Sequence, residues 1–175
     1  MQYRRFGRTN LNIPILSLGG MRFQKSWDQL DFSKISIKEQ TKVENILNLA
    51  NKYGLNHVET AKYYGTSEVQ LGMAFQNNKK IPNIIQTKIP PNNDPKIFKK
   101  DIMRSIEKLK VNKIDLLAIH GINTSEHLYQ AVRDGGCIDI LRNFQKENLI
   151  GSIGFSTHGN LHLLKRPYQQ TYLIM

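Results

Sequence analysis

The chain has 175 residues, of which 39% are hydrophobic, and a formal net charge of +11 at pH 7. This length and apolar content allow one buried core and exclude a disordered chain. Its one cysteine, Cys137, excludes a disulfide framework, a cysteine-ligated zinc site and an iron–sulfur cluster built from this chain alone. We predict no metal site. No apolar run reaches membrane-spanning length, and the first residues lack the apolar centre of a signal peptide, so we expect a cytoplasmic protein without a membrane partner.

Much of the excess positive charge lies in residues 79–113. One interpretation is a surface that binds nucleic acid. However, the charges flank the apolar positions Phe98, Ile102 and Ile106 of a predicted helix, which places most of them on its solvated face. No aromatic residues alternate with them. We therefore disfavour nucleic acid as a partner and favour a general attraction for an anionic cofactor.

Short apolar runs alternate with amphipathic segments along the chain. The runs predict core strands at residues 15–18, 58–61, 84–87, 114–119 and 150–155. Helices are predicted at residues 37–53, 67–77, 95–110 and 125–148, the last divided in two at Asp134-Gly135-Gly136. Strands separated by single helices pair in parallel through right-handed crossovers. Residues 2–6 and 11–14 instead predict a small hairpin ahead of the first core strand.

The glycines after the first core strand help to choose between two α/β folds. Gly19-Gly20-Met21 is only a glycine pair and does not form the G-x-G-x-x-G of a doubly wound dinucleotide-binding sheet. We therefore predict an α/β fold of the barrel type: an incomplete (β/α)8 TIM barrel with about five βα units, preceded by the hairpin. The glycine pair allows the backbone to approach a ligand closely.

Polar side chains are predicted at the carboxyl ends of successive strands, where parallel α/β proteins keep their chemistry. These are Glu59 with Tyr64 in the following loop, Lys88, His120, and Ser156, Thr157 and His158. Alone, Lys88 fits an ordinary charge at a strand exit and His120 a hydrogen-bonded core histidine. Together they form a plausible proton-transfer group, in which a nearby ammonium lowers the pKa of a tyrosine and an acid keeps the lysine in place. A histidine can orient a carbonyl oxygen or help to relay the proton.

These residues resemble the aldo-keto reductases. Residues 59–65, ETAKYYG, match the family's D-T-A-x-x-Y-G, residues 154–159, GFSTHG, resemble its G-V-S-N, and the opening residues are similar to its usual beginning. The resemblance implies a TIM-barrel enzyme that reduces a small-molecule carbonyl to an alcohol with hydride from NADPH, or from NADH. It implies that Tyr64 rather than Tyr63 is the general acid, with Lys88, Glu59 and His120 as its catalytic partners.

The resemblance also implies where the cofactor binds. The family's Ser-Asn pair holds the nicotinamide carboxamide, and in this chain it falls on Ser156 and Thr157. Gly20 and Met21 are the further cofactor-binding residues that we expect.

Two departures from the family pattern bear on function. Glu59 stands where most members have Asp. The segments HVETA, GGCID and GFSTHG resemble a bacterial branch in which Glu is usual at this position and whose full-length members carry a C-terminal ferredoxin-like region. An iron–sulfur cluster would belong to that region, which is absent here. We also count five core strands of the eight, so strands that grip the cofactor in the family are missing.

We accordingly expect residues 1–160 to form the N-terminal part of such a barrel, and residues 161–175 to be an atypical tail produced by truncation or a frameshift. A catalytically inactive remnant is the alternative function. Unpaired strand edges in an incomplete barrel would favour self-association.

Overall fold

The structure is a computed structural model that describes residues 1–23, 26–28, 32–77, 82 and 84–160. Within them the strands are β1 (Tyr3–Arg5), β2 (Asn12–Pro14), β3 (Leu18–Gly19), β4 (His57–Glu59), β5 (Ile84–Ile89), β6 (Ile114–Ile119) and β7 (Ile150–Phe155). The helices are α1 (Ile37–Lys52), α2 (Ser67–Asn77), α3 (Pro95–Leu109), α4 (Ser125–Val132) and α5 (Cys137–Lys146). The predicted tail, residues 161–175, lies outside the described residues.

The strands form two sheets. β1 and β2 pair antiparallel, with Tyr3 opposite Pro14, as the predicted hairpin requires. β3 to β7 form a parallel sheet in chain order, so each strand lies beside the one that follows it. Neighbouring parallel strands joined through helices define the α/β fold that the alternation of runs predicts.

The two faces of the parallel sheet differ in character. Side chains alternate between the faces along each strand, and the register sets Glu59 beside Gln86 and Lys88 beside Ala118. The intervening residues, such as Val58 and Leu117, point to the other face and are almost completely buried in the core. Helix residues complete that core, including Leu47, Leu71, Phe98, Ile102 and Leu141. The helices therefore cover one face of the sheet and leave the polar positions on the opposite face.

Local sequence signals explain where the helices begin and end. Ser36 and Glu39 form a capping box at the start of α1, in which the Ser36 hydroxyl accepts from the Glu39 backbone N–H at 3.3 Å. Asp94 caps α3 by accepting from the Lys96 backbone N–H at 2.8 Å. The predicted division after α4 is present, and at Gly136 a Cβ would lie 2.7 Å from a backbone oxygen, so the turn there requires a glycine.

Three strand predictions were wrong in their bounds, of which β5, predicted at residues 84–87, is longer and ends at Ile89. The apolar run at residues 15–18 was predicted as the first core strand, but the strand is Leu18–Gly19, and Ile15 and Leu16 are 57% and 61% exposed. Ile15 instead extends the hairpin, because its backbone N–H donates to the Gln2 oxygen at 3.0 Å. The second strand was predicted at residues 58–61 and is His57–Glu59, since the chain turns after Thr60. None of the helices in the described part of the chain is both long and apolar enough to span a membrane.

Candidate active site

The loop between β4 and α2 presents two adjacent tyrosines. We call residues 60–66 the tyrosine loop. Its turn is closed by the Tyr64 backbone N–H, which donates to the Ala61 oxygen at 3.0 Å, and by the Ser67 N–H, which donates to the Tyr64 oxygen at 2.9 Å. Gly65 has φ of +49°, a conformation that favours glycine. Tyr64 is half-buried by this turn, whereas Tyr63 is 55% exposed.

Lys88 connects the tyrosine loop to the end of β4. Because Glu59 pairs with Gln86, Lys88 lies two residues further along β5 and on the same face as Glu59. The buried Lys88 ammonium forms an ion pair with Glu59 and donates to the Tyr64 phenol oxygen at 3.1 Å and to the Thr60 backbone oxygen at 3.1 Å. The register of two strands thus brings an acid, an ammonium and a phenol together.

His120 completes the group. It directly follows β6, where its backbone N–H donates to the Ile89 oxygen at 2.7 Å. Its ring meets the Tyr64 ring edge-on, with 5.9 Å between centroids and an interplanar angle of 88°. The Tyr63 ring lies 6.0 Å away and is tilted by 42°. Among the atoms that the structure describes, the buried Nδ1 of His120 has no hydrogen-bond partner.

Burial governs the pKa values of this group. It lowers the pKa of Lys88 to about 8, so the ammonium still predominates at pH 7. Burial, followed by the charges of Lys88 and His158, lowers the pKa of His120 to about 4, which makes the ring neutral at pH 7. Burial raises the pKa of Tyr64. The expected lowering of the Tyr64 pKa by Lys88 is therefore wrong for this geometry, because burial of the phenol dominates.

The predicted cofactor-binding residues Gly20 and Met21, which follow β3, differ in how much free space surrounds them. A Cβ at Gly20 would lie 2.8 Å from the Ser67 hydroxyl and 3.0 Å from the Glu59 backbone oxygen, so this glycine is required by the protein's own packing. We expected a ligand to approach Gly20 closely, but the groups that do so are Ser67 and Glu59 of the chain itself. A Cβ at Gly19 would meet nothing within 4 Å, and Met21 is 37% exposed. Gly19 and Met21 are therefore the accessible positions of this segment.

Ser156 and Thr157 follow β7 and brace the loop after β6. The Ser156 hydroxyl oxygen accepts from the Gly121 backbone N–H at 3.0 Å. The Thr157 hydroxyl donates to the Ile122 oxygen at 2.6 Å and accepts from the Gly159 N–H at 2.8 Å. The hydrogen bonds of both hydroxyls go to neighbouring loop residues, including the Asn123 side-chain oxygen, rather than to the group around Tyr64.

Sequence reasoning missed two polar contacts behind the tyrosine loop. The Lys62 ammonium donates to the Asp101 carboxylate at 2.5 Å, and the buried Glu68 accepts from the Thr87 hydroxyl at 2.7 Å. A signal existed for the first: Asp101 occupies a position between Phe98 and Ile102 on the buried side of α3. An acid at a core position requires a cation or a hydrogen-bond donor beside it, so this position by itself predicts such a partner.

Structural similarity identifies the class of fold. An aldo-keto reductase from Bacillus halodurans in its holo form matches with a TM-score of 0.77 and 19% identity, over 99% of this chain and 56% of that one. A thermostable aldo-keto reductase, Tm1743, in complex with the inhibitor epalrestat matches with a TM-score of 0.73 and 24% identity, over 97% of this chain and 58% of the other. The sheet and its helices thus correspond to part of a (β/α)8 barrel, as predicted, and the chain spans less than two thirds of these proteins' length.

Sequence comparison identifies the family. Residues 15–166 match the protein-family model described as "Aldo/keto reductase family". Since this match covers most of the chain, the protein belongs to the aldo/keto reductase family. A search of curated proteins found no match to the chain.

Proposed function

We propose that this site belongs to an oxidoreductase that reduces a small-molecule carbonyl to an alcohol, with Tyr64 as the general acid. The observation that carries the proposal is the contact of the Lys88 ammonium with both the Tyr64 phenol oxygen, at 3.1 Å, and the Glu59 carboxylate. A phenol with a charged donor on its oxygen is suited to release its proton, because the donor stabilises the phenolate that remains.

When bound, NADPH or NADH supplies the hydride that reaches the carbonyl carbon. The chain's own residues then handle the proton. As negative charge develops on the substrate oxygen, the Tyr64 hydroxyl donates its proton there and the phenolate is held by Lys88. Burial raises the pKa of Tyr64, which makes the phenol a weaker acid by itself. The contact with Lys88 acts against this burial effect, because its positive charge stabilises the phenolate that proton donation leaves behind.

Neutral His120 fits the role of orienting the substrate carbonyl. With a pKa of about 4 it can present a ring N–H to the carbonyl oxygen without adding a second positive charge beside Lys88. Its ring also contacts both tyrosines, so it borders the space in front of Tyr64.

The residues after β7 fit a nicotinamide carboxamide unequally. The Ser156 oxygen accepts one bond, and within the described residues its hydroxyl proton is not used, so it can donate to a carboxamide oxygen. The Thr157 proton is committed to the Ile122 oxygen. Together with Gly20 and Met21, these residues are our candidates for the NADPH site, with NADH as the other possible donor. An iron–sulfur cluster would need ligands from outside this chain, since Cys137 is its one cysteine.

We also propose two features of the protein's setting, a cytoplasmic location and self-association through strand edges. Within the described residues β3 and β7 each pair with one neighbour, and an unpaired edge can accept a strand from a second copy. Sedimentation velocity at rising concentration should then show a concentration-dependent mass, and a monomer throughout would contradict this proposal. Domain limits of 1–160 for the barrel part remain our prediction.

The direct test of function is isotope tracing with the unmodified chain. The chain is incubated with an aldehyde and NADPH carrying deuterium at the transferable position, and the alcohol is analysed by mass spectrometry. The proposal predicts deuterium on the alcohol carbon. If NADPH binds but no deuterium is transferred, or if NADPH does not bind, the proposal fails for this chain and the catalytically inactive alternative is supported.

A further inference from the structure

We propose that the ion pair between Lys62 and Asp101 holds the tyrosine loop against α3. It thereby keeps the Tyr64 hydroxyl within hydrogen-bonding distance of the Lys88 ammonium. This inference rests on the proposed function of Tyr64. Neither residue touches the reacting groups, so both act through the loop.

The ion pair is largely enclosed. The Lys62 ammonium lies 2.5 Å from the Asp101 carboxylate, and the two side chains are 24% and 6% exposed. Asp101 lies on the inner side of α3, next to Phe98 and Ile102, which have no exposed surface. A carboxylate in such surroundings is costly unless it is paired with a cation. The burial of Asp101 therefore favours a closed ion pair, and a closed ion pair fixes the tyrosine loop to α3.

Contacts run from this ion pair to both partners of Tyr64. The Lys62 backbone N–H donates to the backbone oxygen of Lys88 at 2.9 Å, so residue 62 is attached to β5 at the residue that carries the catalytic ammonium. The Lys62 ammonium lies 5.7 Å from the centre of the Tyr63 ring, and that ring lies 6.0 Å from the ring of His120. Lys62 thus links α3 to Lys88 through its side chain and its backbone N–H, and to His120 through the Tyr63 ring.

The Lys62 and Lys88 ammonium groups have different carboxylate partners. Lys88 is accompanied by Glu59 and donates to the Tyr64 oxygen, whereas Lys62, two residues before Tyr64 in sequence, is directed to Asp101. Loss of Asp101 would remove the carboxylate that directs Lys62 towards α3. The loop would lose this side-chain anchor, and the backbone turn closed by the Tyr64 and Ser67 amides would open more often.

Backbone hydrogen exchange in the 175-residue chain tests the positioning role without relying on turnover. In Asp101→Asn and in Lys62→Met we expect the amides of Tyr64 and Ser67 to exchange about tenfold faster, while amides within β6 are unchanged. The matched control is Glu107→Gln, which makes the same charge change on the exposed side of α3 and should leave the loop unaffected. Unchanged exchange at Tyr64 and Ser67 in both test variants would overturn the proposal.

A second comparison separates positioning from packing. Replacing a buried ion pair by apolar side chains often restores stability, so Lys62→Met combined with Asp101→Leu should recover the thermal midpoint that the single variants lose. We expect the exchange of the loop amides to remain fast in this double variant, because the directional anchor is still absent. Recovery of slow exchange together with the thermal midpoint would show that the two residues act by packing alone, and would refute the positioning role.

Kinetics provide the functional readout. In Asp101→Asn we expect kcat for carbonyl reduction to fall about tenfold while KM for NADPH changes by less than about twofold, because the loop positions the proton donor. An unchanged kcat, or a loss confined to KM, would contradict this inference. If the unmodified chain transfers no hydride, the proposed function fails, and hydrogen exchange still decides whether the ion pair holds the loop.

Discussion

The tyrosine loop and the segment after β7 both carry predicted site residues, but they use their polar groups differently. In the first region the Lys88 ammonium contacts both the Tyr64 phenol oxygen and the Glu59 carboxylate. In the second, the hydroxyls of Ser156 and Thr157 are bound to the backbone of the loop after β6. The first region thus has the contacts that the proposed proton transfer requires, whereas the second is primarily a brace that offers a single hydroxyl proton from Ser156.

The largest expected effect in this comparison comes from Lys88→Met. Without the ammonium, the half-buried phenol loses the charged donor that stabilises its anion, so kcat for carbonyl reduction should fall by about 10²–10⁴-fold. The matched control is Lys99→Met, which removes a lysine from the exposed side of α3 and should leave kcat unchanged. A loss of less than tenfold on removal of Lys88 would show that Tyr64 does not depend on it.

The pH dependence of reduction should report the same lysine. Because the pKa of Lys88 is about 8, kcat/KM should decline as the pH rises through that value and approach a tenfold loss per pH unit above it. His120, with a pKa of about 4, should add no change between pH 5 and 7. A kcat/KM that stays constant from pH 7 to 10 would show that reduction does not require the charged form of Lys88.

Smaller effects are expected in the segment after β7, and they should differ between its two hydroxyls. Ser156→Ala removes the hydroxyl that can donate to the carboxamide, and should raise KM for NADPH by about two- to tenfold. Thr157→Val removes a hydroxyl already bound to the Ile122 oxygen, and should lower the free energy of unfolding by about 1 kcal/mol with little change in KM. Equal effects of the two variants on KM would contradict the assignment of Ser156 as the binding residue and Thr157 as a purely structural one.

The smallest effect concerns the stability of the structure behind the tyrosine loop. Burial raises the pKa of Glu68, so the folded chain retains this proton to a higher pH than the unfolded chain, whose reference pKa is 4.5. The resulting stabilisation is complete below pH 4.5 and is lost as the pH rises through the folded-state pKa. Relative to Glu68→Gln, the unmodified chain should therefore lose free energy of unfolding between pH 4.5 and 7, measured by urea denaturation. A constant difference between the two chains across that range would be inconsistent with this burial effect.

Much of the fold could be predicted because its signals are local. The alternation of apolar runs and capped amphipathic segments identifies the parallel sheet. The choice of Tyr64 over Tyr63 as general acid comes from the resemblance of ETAKYYG to the family motif, and it remains a prediction. The first core strand was misplaced because the apolar run at residues 15–18 belongs partly to the hairpin, and a strand's partner is not visible in its own sequence.

The remaining errors and omissions concern properties that arise only after folding. The pKa direction of Tyr64 depends on its burial, which the turn geometry determines. The requirement for glycine at position 20 comes from the approach of Ser67 across the sheet end. The Lys62–Asp101 ion pair joins residues far apart in sequence, so spacing alone could not reveal it.

The most direct test of the proposed proton donor compares the two adjacent tyrosines. Tyr64→Phe should reduce kcat for carbonyl reduction by about 10²–10⁴-fold while NADPH binding, measured by fluorescence titration, stays nearly intact. Tyr63→Phe removes the same hydroxyl from the neighbouring, exposed ring. In the described part of the chain Lys88 donates to the Tyr64 hydroxyl and not to that of Tyr63, so this variant should retain most of the activity. Undiminished turnover in Tyr64→Phe, or a larger loss in Tyr63→Phe, would contradict the assignment of Tyr64 as the general acid.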